Sequence, residues 1–178
     1  MAHKPDEPSL SVQLTLATPE QQPILANLLE LYAHDFSEFH PVVLNTDGRF
    51  GYKGLEEYWS LPDRYAFLFT VEGNLAGMAL IKKGSEITRD PSVWDIHEFF
   101  VLRGFRKRGV GSAAAHEIWR RFEGSWEVRV MKSNVPALSF WRRAISTFTR
   151  NPAEPTQIEK DGQHWNVFSF ESSQTYNK

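Results

Sequence analysis

Cysteine is missing from this chain altogether. That single absence removes disulfides, thiolate metal sites and thiol nucleophiles together, and nothing in the sequence then demands an oxidising compartment. Long apolar runs are missing too, since none approaches the roughly 20 residues of a membrane span. The opening MAHKPDEPS has no apolar core of the kind a secretory leader carries. A marked excess of either charge is missing as well: a formal net charge of −2 gives no reason to expect a nucleic-acid partner. His3, His34, His40, His116 and His164 stand at no metal-ligand spacing, so no metal site is expected. These absences leave a soluble, cytoplasmic protein as the expectation. With 178 residues, 41% hydrophobic and 24% charged, one domain with a genuine core is the natural reading. Aromatics are plentiful, six of them Trp, so the core or a pocket carries large flat side chains.

Residues 1–10 and 172–178 are expected to be tails around a domain spanning 11–171. SVQLTLA alternates Val12, Leu14 and Leu16 against Gln13 and Thr15, as a half-buried strand does. From Thr18 the spacing turns helical, with Ile24, Leu25, Leu28, Leu29 and Tyr32 on one face; Thr18 and Pro23 compete to mark its start. A glycine-rich loop and a short LEEYWSL helix follow, then two strands joined by EGN. VWDIHEFFVL is a further strand, a glycine turn opens a helix from Val110 to Glu123, and Gly124 stops it. A strand SWEVRVMK, a short helix NVPALSFWRRAI and a hairpin turning at Asp161-Gly162 complete the chain. This order predicts an α/β fold with one mixed, mostly antiparallel sheet flanked by helices.

The chemistry concentrates where EFFVLRGFRKRGVGSAAA passes from strand to helix. Gly104 and Gly109 satisfy the outer glycines of a P-loop, but the next residues are Val110 and Gly111 where Lys and Ser/Thr are needed. GVGSAA fits a dinucleotide fingerprint, yet three cationic residues separate it from the strand, and the next strand ends in Met131-Lys132 without the required acid. The remaining reading uses every residue. Glycines let backbone N–H groups from Arg106 to Gly111 converge on a pyrophosphate at a helix start, with Arg103, Lys107 and Arg108 around it. RKRGVG resembles the acyl-CoA motif Q/R-x-x-G-x-G/A of the GNAT N-acetyltransferase superfamily. The likeness extends through WEVRVMKSN and NVPALSFW, where that family shows Asn, then Ala, then an aromatic pair; Asn134 and Ala137 stand at that spacing.

Acetyl-CoA is the cofactor that this resemblance implies. Its pyrophosphate is expected on Arg106, Lys107, Arg108, Gly109, Val110, Gly111 and Ser112. Its pantetheine arm is expected along Phe99, Phe100 and Val101, with Asn134, Ala137, Phe140 and Trp141 closing the site. The expected reaction is acetyl transfer to a primary amine of a small molecule, with a protein amine or a non-catalytic acyl-CoA-binding module as alternatives; the resemblance also suggests a homodimer. Removing the ammonium proton needs a base. Strict alternation places Asp95, His97, Phe99 and Val101 on one strand face, and Glu98 on the other. His97 falls where diamine acetyltransferases place a glutamate and arylalkylamine acetyltransferases a histidine, so His97 is the expected base; Asp95, two residues earlier on the same face, matches a second recurrent base position in the family, and Glu98 is expected to be structural. Many relatives carry a tyrosine acid seven residues after the asparagine; here that position is Trp141, whose N–H donates a hydrogen bond but releases no proton. Tyr32, Asp35 and Phe36, acid among aromatics, are expected to face a cationic acceptor.

Overall fold

A computed structural model describes residues 11–173; the expected tail residues 1–10 and 174–178, His3 among them, lie outside the described residues. Strand β1 (Val12–Leu16) leads into a 3-10 turn at Pro19–Gln21 and helix α1 (Gln22–Phe36). Both candidate starts of this helix are used: Gln21 Oε1 accepts the Thr18 N–H at 3.0 Å, and Pro23 sits in the first turn of α1. Leu25, Leu28 and Leu29 are buried, whereas Ile24 lies off that face and is exposed. Then come α2 (Glu57–Ser60), β2 (Arg64–Val71), β3 (Asn74–Lys83), β4 (Trp94–Val101), α3 (Val110–Arg121) and β5 (Gly124–Met131). The last elements are α4 (Val135–Thr149), β6 (Thr156–Lys160) and β7 (Gln163–Ser172). Helix α4 runs beyond the expected NVPALSFWRRAI end, past Ser146 to Thr149, and stops at Arg150 in a left-handed conformation. Ser172, expected in the tail, closes β7 and donates its hydroxyl to the Trp119 carbonyl.

The seven strands form one sheet in the order β1-β2-β3-β4-β5-β7-β6. Every pairing is antiparallel except β4 with β5. Strands β2 and β3 are apolar on both faces because both faces are covered. Phe67, Phe69, Ala79 and Ile81 join α3 and α4 in one core, while Ala66, Leu68, Met78 and Leu80 join α1 and α2 in the other. The β2–β3 turn sets both Glu72 and Gly73 at positive φ, as does the β6–β7 turn at Asp161 and Gly162, the mirror-image geometry that suits a twisted hairpin.

Two irregularities in β4 make the site. Its parallel pairing with β5 covers only Trp94 with Trp126 and Asp95 with Glu127; beyond these pairs the strands separate. Against β3, Ile96 pairs with Ile81 and Glu98 with Leu80, so His97 is an extra residue at a β-bulge. The bulge shifts the side-chain alternation by one. Trp94, Ile96, Phe99 and Val101 therefore share the α3–α4 core, and Phe100 faces α1. The strict alternation expected from sequence fails at this one residue.

Candidate active site

Between the separating strands lies a cavity of about 470 Å³. It is walled by α1 (Tyr32, Phe36), β4 (His97, Glu98, Phe99), β5 (Val128 to Met131) and the start of α4 (Asn134, Ala137, Trp141). Glu98, expected to be structural, opens into it, because the bulge turns this side chain towards the α1 layer. Burial pushes its carboxyl up to about 7, against hydrogen bonds from Tyr32 and Tyr52 and the charge of Arg129. A signal for it was present: Glu98 is one acid in an otherwise apolar run, EFFV.

His97 and Asp95, the expected base and its helper, also lie here but are otherwise engaged. The His97 Nδ1 is 2.7 Å from the Tyr58 hydroxyl. Burial, aided by the positive charges of Lys82 and Arg129, pushes its imidazole down to about 3. Asp95 is fully buried and accepts from Arg129 Nη2 at 2.8 Å, an ion pair at the floor of the site. Burial raises its carboxyl above the ordinary carboxylate value in spite of that pair.

The glycine turn divides by role. Gly109 has φ +81°, and Lys107 is also left-handed at φ +60°. The Arg106 N–H bonds to the Arg103 carbonyl at 3.2 Å, and the Ala113 N–H bonds to the Gly109 carbonyl at 3.0 Å. Among the described residues, the amides of 107–112 between them have no acceptor. Six donors at a helix start, with Lys107 and Arg108 exposed beside them, form an anion-receptive cradle. The cradle thus begins one residue later than expected. The side chain of Arg106 is turned away from it: Nε donates to the Val101 carbonyl at 2.7 Å and Nη2 to Asp35. Gly111 has a different reason to be glycine, since a Cβ would lie 3.0 Å from the Phe140 ring. Gly104 has neither positive φ nor a close neighbour.

Asp35 is held by Arg103 at 2.7 Å and by Arg106, and does not line the cavity, unlike Tyr32 and Phe36. Burial acts to raise its carboxyl, but hydrogen bonds from the two arginines outweigh this and hold it below the usual carboxylate range. Asn134 Oδ1 caps α4 by accepting the Ala137 N–H at 3.1 Å. Phe140 stacks near Phe99, with ring centroids 6.0 Å apart, and Trp141 packs edge-on to Phe99 at 4.9 Å.

Residues 25–145 match the sequence profile of the "Acetyltransferase (GNAT) family", more than half of the chain. The chain belongs to that family. It is an acetyltransferase, and acetyl-CoA is the family's donor. No curated protein matches it by sequence. Among solved structures, an acetyltransferase from Thermus thermophilus is similar over 92% of this chain and 98% of its own, with TM-score 0.63 and 17% identity. An aminoglycoside acetyltransferase in complex with coenzyme A and kanamycin covers 90% and 95%, with TM-score 0.64 and 15% identity. A spermidine/spermine N-acetyltransferase from Vibrio cholerae covers 93% and 95%, with TM-score 0.55 and 10% identity. These likenesses carry the GNAT fold.

The residues present fit the family's donor. The unpartnered amides of 107–112 suit a pyrophosphate. Leu102 donates its N–H to Ala76, and backbone groups two residues apart on a strand share an edge. Phe100 is therefore turned to β3, and Phe99 with its N–H and C=O and Val101 with its N–H face the opening beside β5, the Val101 carbonyl being taken by Arg106. Phe100 also buries its ring under α1, so neither its backbone nor its side chain faces the expected pantetheine path. Among the described residues, no helix is long and apolar enough to cross a membrane.

Proposed function

We propose that this GNAT enzyme transfers the acetyl group of acetyl-CoA to the primary amine of a small molecule, with Glu98 as the general base. The observation that carries the assignment is a carboxyl raised to about 7 on the wall of the cavity between β4 and β5. An amine must arrive at the thioester as a free base, and a base working near neutrality needs a pKa close to the operating pH. Glu98 has that value; an imidazole at about 3 holds an abstracted proton poorly. His97 instead packs against Tyr58, and the buried Asp95–Arg129 pair fixes the strand below it. Acetyl-CoA supplies the activated acetyl group when bound. The amides of 107–112 would receive its pyrophosphate, and the cleft-facing backbone of Phe99 and Val101 would align its arm.

A small acceptor is supported by the enclosure, since a cavity of about 470 Å³ walled by α1 and the sheet suits a metabolite-sized molecule. Two structural relatives, named for aminoglycoside and for spermidine/spermine acetylation, also act on small amines. The test is thiol release from acetyl-CoA across a panel of amines. Glu98→Gln should lower kcat/KM by about 10²–10⁴ if it removes the base. It should leave acetyl-CoA affinity in calorimetry unchanged. Equal rates in the two proteins would refute the assignment.

A further inference from the structure

Arg129 is an unusual residue for the acceptor cavity of an enzyme whose substrate is a cation. It stands on β5, its side chain is only 16% exposed, and it lines the cavity. The guanidinium is fixed from two sides. Asp95 takes the Nε–Nη2 edge, at 3.4 and 2.8 Å, and the Trp165 ring lies against it with 5.9 Å to the centroid. Among the described residues Nη1 has no hydrogen-bond partner, and it is not sealed from solvent. Lys82 adds its own positive charge to the field at Asp95 while it is paired with Glu86, so Asp95 is not left to Arg129 alone. The free edge is thus a rigid donor on a residue that lines the cavity.

Resting on the acetyl-transfer reading above, we infer that the acceptor carries a carboxylate beside its amine, and that Arg129 Nη1 reads it. The acceptor class is then a free amino acid. Glu98 and Arg129 both line the cavity and lie near enough to feel each other's charge, so a molecule with an amine at the first and a carboxylate at the second would span them. Arginine suits the task because its planar fork serves two carboxylates at once, one from Asp95 and one from the ligand. Phe36, Tyr52 and Trp165 on the walls offer an apolar surface for the side chain. A polyamine would instead bring a second positive charge against Arg129, which selects against it.

Three compounds with one side chain test this: phenylalanine, phenylalaninamide and phenethylamine, with leucine and its analogues in parallel and spermidine as the polycation. Thiol release from acetyl-CoA should favour the free acid over amide and amine by roughly 10–100-fold in kcat/KM, the range of a charge-assisted hydrogen bond. Arg129→Lys keeps a cation for Asp95 and should shrink that preference. The double variant Asp95→Asn/Arg129→Met removes both charges without orphaning either, and should abolish the preference by raising KM for the free acid, with acetyl-CoA affinity in calorimetry unchanged. Equal or better use of phenethylamine or spermidine by the wild type would overturn the inference while sparing acetyl transfer. A preference that survives in both variants would also overturn it. Intact acetyl-CoA binding with no thiol release from any amine would overturn the acetyl-transfer reading, and this inference with it.

Discussion

Glu98 and His97 are neighbours on one strand whose ionisation is moved in opposite directions by the same burial. The carboxyl, raised from 4.5 to about 7, stabilises the fold relative to the unfolded chain below pH 4.5, and that contribution is lost as pH rises through 7. At pH 8, Glu98→Gln should therefore melt higher than the wild type, by up to roughly 3 kcal/mol, even as activity falls. The imidazole, lowered from 6.5 to about 3, contributes stability above pH 6.5 that is lost as pH falls through 3. His97→Gln should flatten the acid side of a melting-temperature profile between those values and keep kcat within about tenfold, a loss well below that of a missing base. A His97→Gln enzyme as impaired as Glu98→Gln would return the base to His97. Neither assignment could be read from the chain by alternation alone. A bulge depends on which residue of the partner strand is skipped, and nothing local to Ile96-His97-Glu98 records that.

Elements with local chemistry were legible, and those fixed by distant partners were not. The turn Asp161-Gly162 announces itself because positive φ favours both residue types, and Gly73 marks the other turn although Glu72 beside it is an unfavourable left-handed residue. The helix start at Val110 was equally plain from its glycines. Asp35 was not, because its partners Arg103 and Arg106 lie 68 and 71 residues away and join α1 to the glycine turn only in the fold. That pairing is largely solvent-exposed on the arginine side, so Asp35→Asn should cost less than about 1 kcal/mol. The three glycines of the turn should separate by mechanism. Gly109→Ala forces a left-handed alanine, at about 1–2 kcal/mol. Gly111→Ala presses a methyl on Phe140, at about 1–3 kcal/mol. Gly104→Ala meets nothing and should be near neutral. Thermal melts of the three variants check the order, and a Gly104→Ala as damaging as the others would contradict it.

At the scale of the whole molecule, the sheet order and the parting of β4 from β5 bring together groups that the sequence holds far apart. Tyr32, Tyr52, Glu98, Arg129 and Trp165 meet at one cavity although they span most of the described chain. The family motif gave away the fold and the donor, and a turn with consecutive unpartnered amides is legible because it is built from neighbouring residues. The cavity is lined by side chains on α1, β4, β5 and β7, and only the folded sheet assembles it. Trp141, standing where many relatives carry a tyrosine, is buried against Phe99 and Phe140 as part of the wall, which explains its type by packing. The central claim is that Glu98 takes the proton of an amine bound in this cavity. Its most direct test is kcat/KM against pH for one good amine acceptor in wild type, His97→Gln and Glu98→Gln. An acid limb near pH 7 is expected in the first two and, in Glu98→Gln, a rate lower by about 10²–10⁴ with that limb gone. A limb that persists in Glu98→Gln, or that vanishes in His97→Gln, would contradict it.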